Sequence, residues 1–195
     1  PIESSPEMSF FYEQPPMKTR TSIRRMVYVS LFGAATAAGA FIMIPLPPVP
    51  ITLQTLILYL AAALLGGRLG ALSQIIYLII GIMGFPVFAG GKGGLGVLMG
   101  PTGGYLIGFV AGAYVLGKLL EIPKAPQLPW MIFTMGVGTL IIYLFGVAQL
   151  ILVARLSLSK AIMAGVLPFL IGDAVKVTAA SLAALKIKKH IRLSP

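Results

Sequence analysis

The 195 residues are 57% apolar and only 10% charged, with a mean hydropathy of +0.95; a soluble domain is about 45–50% apolar and about 25% charged. That balance excludes a soluble globular protein and implies a polytopic membrane protein. Cysteine is absent, which excludes disulfides and thiolate metal sites.

The type of membrane protein follows from the lengths of the apolar runs. They are too long for the roughly 10-residue alternating strands of an outer-membrane barrel. Helices are then the remaining way to satisfy every backbone group in lipid. The net charge of +10 would suit a nucleic-acid binder, but basic residues flanking membrane spans explain it better, so no nucleic-acid partner is expected. His190 sits in the basic tail and Asp173 is the one acid deep in an apolar run. A protein-bound transition metal is therefore not expected either.

In chain order, Pro1 to Pro16 are polar and hold three of the five acids. Met17-Lys18 reads as a natural start, so the first sixteen residues are expected to be a tag remnant, an upstream extension or a flexible tail. Lys18, Arg20, Arg24 and Arg25 then precede an apolar run ending in small residues, a pattern that a signal peptide shares. The run continues to Ile44, long enough to span, which favours a membrane helix. Six spans are drawn with about 20 residues as a guide: Met26–Ile44, Leu53–Gly66, Leu69–Phe85, Gly103–Leu120, Pro129–Val153 and Ala161–Leu185. The second and third are short. Pro45 to Pro50 cannot be helical, Gly66-Gly67-Arg68 is a tight turn, and Pro123 and Pro126 separate spans four and five. The expected organisation is a flexible tail over 1–23, an all-α six-helix membrane domain over 24–187 and a basic cytoplasmic tail over 188–195.

Lys and Arg set the expected orientation. With both ends cytoplasmic, the inner segments hold Lys18, Arg20, Arg24, Arg25, Arg68, Lys118, Lys124, Lys186, Lys188, Lys189 and Arg192, against Lys92, Arg155 and Lys160 outside. Both termini are expected inside a cell membrane that the chain crosses several times.

Asp173 and Lys176 are the only charges between Ala161 and Leu185. An ion in hydrocarbon costs several kcal/mol or more, so such residues pair, face a bundle interior or mark a ligand path. On a helix the two share a face. They are either a neutralising pair that holds helices together or the grip on a polar ligand. The segment from Gly84 to Gly104 holds nine of the 23 glycines, and long connectors of this kind are functional or floppy. It is read as an ordered lid over a pocket, with Phe88 packing and Lys92 supplying charge; the alternative is a loop resting on lipid. Gly91 to Gly96 fit G-x-G-x-x-G, but that fingerprint needs a preceding strand in a βαβ unit. Gly112 to Lys118 lack the Ser/Thr of a phosphate loop. No nucleotide site is expected.

Gly33/Ala37 and Ala34/Ala38 have the small-xxx-small spacing that lets helices approach closely, either within the chain or against another membrane subunit. Gln54, Thr55, Gln74, Tyr77, Tyr105 and Thr178 are polar residues near the membrane, each suited to interhelical hydrogen bonds. Gln54 opens span two beneath the proline-rich turn, placed to point into an outward pocket. No nucleophile-and-base set is present, which argues against an enzyme.

Three motifs carry a resemblance. They are Pro48-Val49-Pro50-Ile51-Thr52-Leu53-Gln54-Thr55-Leu56, Gly84-Phe85-Pro86-Val87-Phe88-Ala89-Gly90-Gly91 and Gly100-Pro101-Thr102-Gly103-Gly104-Tyr105. With Asp173-Ala174-Val175-Lys176 and the alanine-rich block of span one, they closely resemble BioY, the biotin-binding S component of energy-coupling-factor (ECF) vitamin transporters. The likeness extends over about Arg24 to Ile187. It implies a compact six-helix S-component fold that captures extracellular biotin. It also implies a transmembrane coupling protein and two cytoplasmic ATPases as partners, with ATP used by those partners and no cofactor in this chain. It places the docking face at Gly33, Ala34, Ala37 and Ala38, and makes Asp173 and Lys176 ligand contacts. Gln54, Tyr77, Phe88, Gly91, Lys92 and Tyr105 are further candidate ligand residues, Lys92 as counter-ion to the biotin carboxylate. A secondary transporter or channel for another small solute is the alternative. An intramembrane enzyme with Asp173 as base is a third reading, with Lys176 as its one available second group.

Overall fold

The structure, a computed structural model, describes residues 19–190 apart from residue 124. The expectations for Pro1 to Pro16, and for Lys18, Lys124 and Arg192, lie outside those residues. Helix α1 covers Thr19–Phe41, so it begins inside the segment expected as a tail. It is followed by strands β1 (Met43–Ile44) and β2 (Ile51–Thr52) and helices α2 (Gln54–Leu65), α3 (Gly67–Ile82), α4 (Leu95–Met99), α5 (Gly103–Glu121), α6 (Leu128–Ala154) and α7 (Leu158–Gly165). A 3-10 turn, Leu167–Phe169, leads into α8 (Leu170–His190).

Three stretches, Gly103–Glu121, Leu128–Ala154 and Leu158–Lys188, are long and apolar enough to cross a membrane. With 27 residues, α6 is about 40 Å long at 1.5 Å per residue, well above the roughly 30 Å of hydrocarbon. The apolar helices α2 and α3 have 12 and 16 residues and are shorter. Large apolar side chains on the outward faces are exposed, among them Leu140 and Leu144 of α6 and Ile171 and Val175 of α8. In water these would be a liability; in lipid they are the solvent-facing surface.

Three expected spans differ in detail: the third was drawn from Leu69 to Phe85 after a turn at Gly66-Gly67-Arg68, whereas α3 covers Gly67–Ile82 and Gly66 alone separates it from α2. The first was drawn to Ile44, but α1 stops at Phe41 because the chain turns back on itself. Met43 pairs with Thr52 and Ile44 with Ile51 in a short antiparallel hairpin whose connection holds the prolines. The N–H of Leu53 donates to the carbonyls of Gly39 and Ile42, both at 3.2 Å, and ties the hairpin to the end of α1. The sixth span was drawn as one helix. Pro168 lacks the backbone donor a continuous helix needs, and the chain breaks there into α7, the 3-10 turn and α8.

Helix α5 packs on α2, α3, α4 and α6, most extensively on α6. Gly104, Gly108 and Gly112 recur every four residues along the face toward α6. A Cβ at Gly108 would lie 2.9 Å from Cα of Ile142, and one at Gly112 would lie 2.9 Å from the carbonyl of Gly138. This is the small-residue seam that replaces hydrophobic driving force between helices in lipid. Between α1 and α3, Gln74 donates to the hydroxyls of Thr36 (3.2 Å) and Ser73 (3.1 Å). The core closes with Leu58, Tyr59, Leu116, Met131, Met135 and Leu150, all essentially inaccessible.

Candidate functional site

A cavity of about 110 Å³ opens among the hairpin, the glycine-rich loop and helices α2, α5, α6 and α8. One water needs roughly 10–15 Å³, so the space suits an organic molecule. Its walls are mostly apolar: Val49, Val97, Leu106, Phe109, Ile142 and Phe169 all border it.

The polar end is built on the first turns of α8. Pro168 restarts the chain, and Asp173 falls in the first turn of the new helix, where the exposed amide end of the dipole favours a carboxylate. Lys176 follows three residues later on the same face, with its Nζ 2.9 Å from Asp173 Oδ1. Both residues are buried, at 5% and 8% exposure, and both border the cavity. Thr55 of α2 bridges them. Its hydroxyl accepts from Lys176 Nζ at 3.1 Å and donates to Asp173 Oδ1 at 3.4 Å. Tyr143 of α6 donates to Asp173 Oδ2 at 2.6 Å. A buried pair retained with this many hydrogen bonds is neutral as a unit, and removing either member would strand the other.

The chemistry offered to a ligand follows from the inventory of donors and acceptors. The ammonium has three N–H groups and no acceptor; two are used by Asp173 and Thr55. The carboxylate has about four acceptor places; Lys176 and Thr55 take Oδ1 and Tyr143 takes one on Oδ2. Among the described residues, one donor place on Lys176 and one acceptor place on Asp173 Oδ2 therefore remain. A ligand that carries both an N–H donor and a carbonyl acceptor could use both.

Gln54 forms the second polar point. It borders the cavity, accepts from the Thr52 hydroxyl at 3.0 Å and donates to the hydroxyl of Tyr77. Tyr105 also borders the cavity, with its hydroxyl donating to the carbonyl of Gly165 at 2.8 Å. Phe88 closes the top, 1% exposed, its ring edge-on to Tyr77 at 5.5 Å between centroids. Lys92 is exposed at the rim and borders the same space.

Two expected ligand residues sit elsewhere. Tyr77 was expected to wall the ligand, but it is fully buried behind Gln54 and Phe88, where it supports both. Gly91 does not border the cavity either. It and Gly90 have φ of +68° and +76°, a region glycine enters without steric cost, and they let the chain turn so that Phe88 N–H donates to Lys92 O at 2.9 Å. The small-residue block of α1 also divides. Gly33 is buried against α3, where a Cβ would lie 3.1 Å from the carbonyl of Ser73, and Ala37 is half-buried. Ala34 and Ala38 are exposed.

Sequence reasoning did not single out Tyr143 or Thr139, and it read Thr55 as an interhelical bond. The available signal was a tyrosine four residues after a threonine in the most apolar helix, where each hydroxyl needs a partner. Thr139 finds two: it donates to Met135 O at 2.8 Å and so accepts from the Tyr59 hydroxyl at 2.6 Å.

A buried ionic site walled by apolar side chains, carried on helices that can cross a bilayer, defines a membrane protein built to hold a small solute. Residues 16–193 match the BioY family, and the chain belongs to that family, as its motifs led us to expect. It is 43% identical over 167 residues to the biotin transporter BioY of Thermotoga maritima, covering 86% of this chain and 97% of that one. It is 35% identical over 171 residues to the biotin transporter BioY of Rhizobium etli, covering 83% and 91%. Among solved structures it is similar to the S-component for biotin from an ECF-type ABC transporter, with a TM-score of 0.81 and 26% identity over 89% of this chain and 95% of that one. These relatives are transport proteins, not enzymes.

Proposed function

We propose that this chain is the substrate-binding membrane subunit of a vitamin importer, capturing extracellular biotin and passing it inward with an ATP-driven coupling module. The observation that carries the reading is the buried Asp173–Lys176 pair, which leaves one donor and one acceptor place facing an apolar cavity. Biotin has an apolar bicycle with a sulfur, a ureido group with two N–H donors and a carbonyl, and a carboxylate tail. In this reading Asp173 accepts a ureido N–H and Lys176 donates to the carbonyl. Charged hydrogen bonds of this kind are worth about 1.5–3 kcal/mol each. Phe88, Tyr105, Phe109 and Phe169 enclose the bicycle, Gln54 offers a further polar contact, and Lys92 meets the carboxylate, since the Asp173–Lys176 pair has no net charge to spare.

The chain crosses the membrane six times in this reading, with α7 to α8 as the last crossing and both ends cytoplasmic. The Lys and Arg bias supports that orientation. The partners are a transmembrane coupling protein and two cytoplasmic ATPases; the likeness to an ECF-type S-component supports them. Ala34 and Ala38 are the exposed members of the small-residue block and form the docking face.

The test is retention of radiolabelled biotin by detergent-purified protein, competed by unlabelled biotin and by a neutral biotin amide. Wild type is expected to prefer biotin over the amide, and Lys92→Ala to lose affinity for biotin while keeping that for the amide. Equal weakening of both ligands would remove Lys92 from the carboxylate. Failure of folded, ligand-free wild type to retain biotin would overturn the substrate assignment.

A further inference from the structure

Tyr143 has a part in this site that the ligand-contact reading leaves unused. Its hydroxyl lies 2.6 Å from Asp173 Oδ2, both residues are buried, and both border the cavity. The opposite oxygen, Oδ1, is held by Lys176 at 2.9 Å and Thr55 at 3.4 Å. The carboxylate is thus clamped from three helices: α2 through Thr55, α6 through Tyr143 and α8 through Lys176. Its plane is fixed, and one place on Oδ2 stays open.

Resting on the biotin reading above, we propose that Tyr143 is a specificity-determining residue: by filling one acceptor place on Oδ2 it lets Asp173 take a single ligand N–H and turns away ligands that present two parallel donors. With Oδ1 filled by Lys176 and Thr55, a two-donor edge could set both of its N–H groups only on Oδ2, where Tyr143 already holds one of the two acceptor places. A urea edge is different, because it offers one N–H beside one carbonyl. The clamped pair matches that edge: Asp173 accepts the N–H, and the free N–H of Lys176 meets the carbonyl. A guanidine in place of the urea would have to displace the Tyr143 hydroxyl and would also face the Lys176 ammonium. Urea is thereby selected over guanidine partly by a barrier against the wrong edge, which is how specificity is commonly built.

The alternative role for Tyr143 is as one more buried hydroxyl that helps α6 pack on α8. The two roles differ in what happens to a ratio. The probes are biotin and 2-iminobiotin, in which a guanidine replaces the urea, titrated at pH 7 into the purified full chain. Wild type is expected to bind biotin far more tightly. In Tyr143→Phe the Asp173 carboxylate loses a charge-assisted bond and its fixed plane, so biotin should weaken about tenfold. The freed place on Oδ2 should offset the same loss for 2-iminobiotin, so the preference narrows about tenfold or more.

Replacing Tyr143 with 4-aminophenylalanine keeps an N–H donor at the end of the same ring and should return the ratio toward wild type. Ser181→Ala removes another buried hydroxyl contact between α8 and α6, the one to Met135 Sδ, and should leave the ratio unchanged. If Tyr143→Phe weakens both ligands equally, or if Ser181→Ala narrows the ratio as much, the selectivity role is overturned while the biotin site stands. If folded wild type binds neither ligand, the functional reading fails and this inference fails with it.

Discussion

The ring of Phe88 occupies the space that a side chain at position 81 would need: a Cβ built on Gly81 falls among the ring atoms. The glycine of α3 is thus the socket that seats the glycine-rich loop over the cavity. The backbone supports the same contact, because the N–H of Gly94 donates to the carbonyl of Gly81 at 2.7 Å. Gly81→Ala is expected to unseat Phe88. Overpacking of this kind costs about 1–3 kcal/mol, so the melting temperature should fall moderately. Biotin should also leave faster, since the loop no longer holds its closed position. Stopped-flow dissociation checks this; an unchanged off-rate would mean that Phe88 is not part of the closure.

Thr55 should matter without carrying charge. Thr55→Val keeps the shape and removes the hydroxyl that lies 3.1 Å from Lys176 Nζ. Hydrogen bonds to charged groups contribute about 1.5–3 kcal/mol, so biotin affinity should drop about tenfold or more while the Asp173–Lys176 pair persists. Equilibrium titration of purified protein is the check, and undiminished affinity would show that the bridge is dispensable.

The divided small-residue block of α1 yields a paired prediction. Ala34→Leu and Ala38→Leu place bulk on an exposed face, where stability effects are within about 0.5 kcal/mol. Biotin binding in detergent should be retained, whereas uptake by cells expressing the coupling module should be lost. Gly33→Leu instead drives a side chain into the Ser73 carbonyl of α3 and should destabilise the protein by more than about 1 kcal/mol. Uptake that survives the Ala34 and Ala38 substitutions would move the docking face elsewhere.

Asp173 and Lys176 could be found in the sequence because an ion in an apolar run has few explanations. Gln54, Phe88, Tyr105 and Lys92 were found through motifs in loops and at helix starts, and the structure brings all four to the cavity. Tyr143 and the roles of Thr55 and Tyr77 could not be read the same way. Their meaning comes from which residue, 118, 30 or 23 positions away, meets each hydroxyl, and no local pattern encodes that. The break at Pro168 was visible as a proline yet passed over, because the apolar run continues through it. The hairpin at Met43–Thr52 was hidden for a related reason. Two-residue strands have no periodicity to detect, and only the prolines between them marked the turn. The outward and inward halves of the α1 block could not be told apart, since small-xxx-small spacing serves both packing and docking.

The most direct test of the central claim is calorimetric titration of biotin into ligand-free wild type, Asp173→Asn and Lys176→Ala. The expected result is tight binding by wild type, with a loss of at least ~2 kcal/mol, about thirtyfold in affinity, in each variant. Tight binding that survives both substitutions would contradict the assignment of the pair to the ligand and leave it a purely structural bridge between helices.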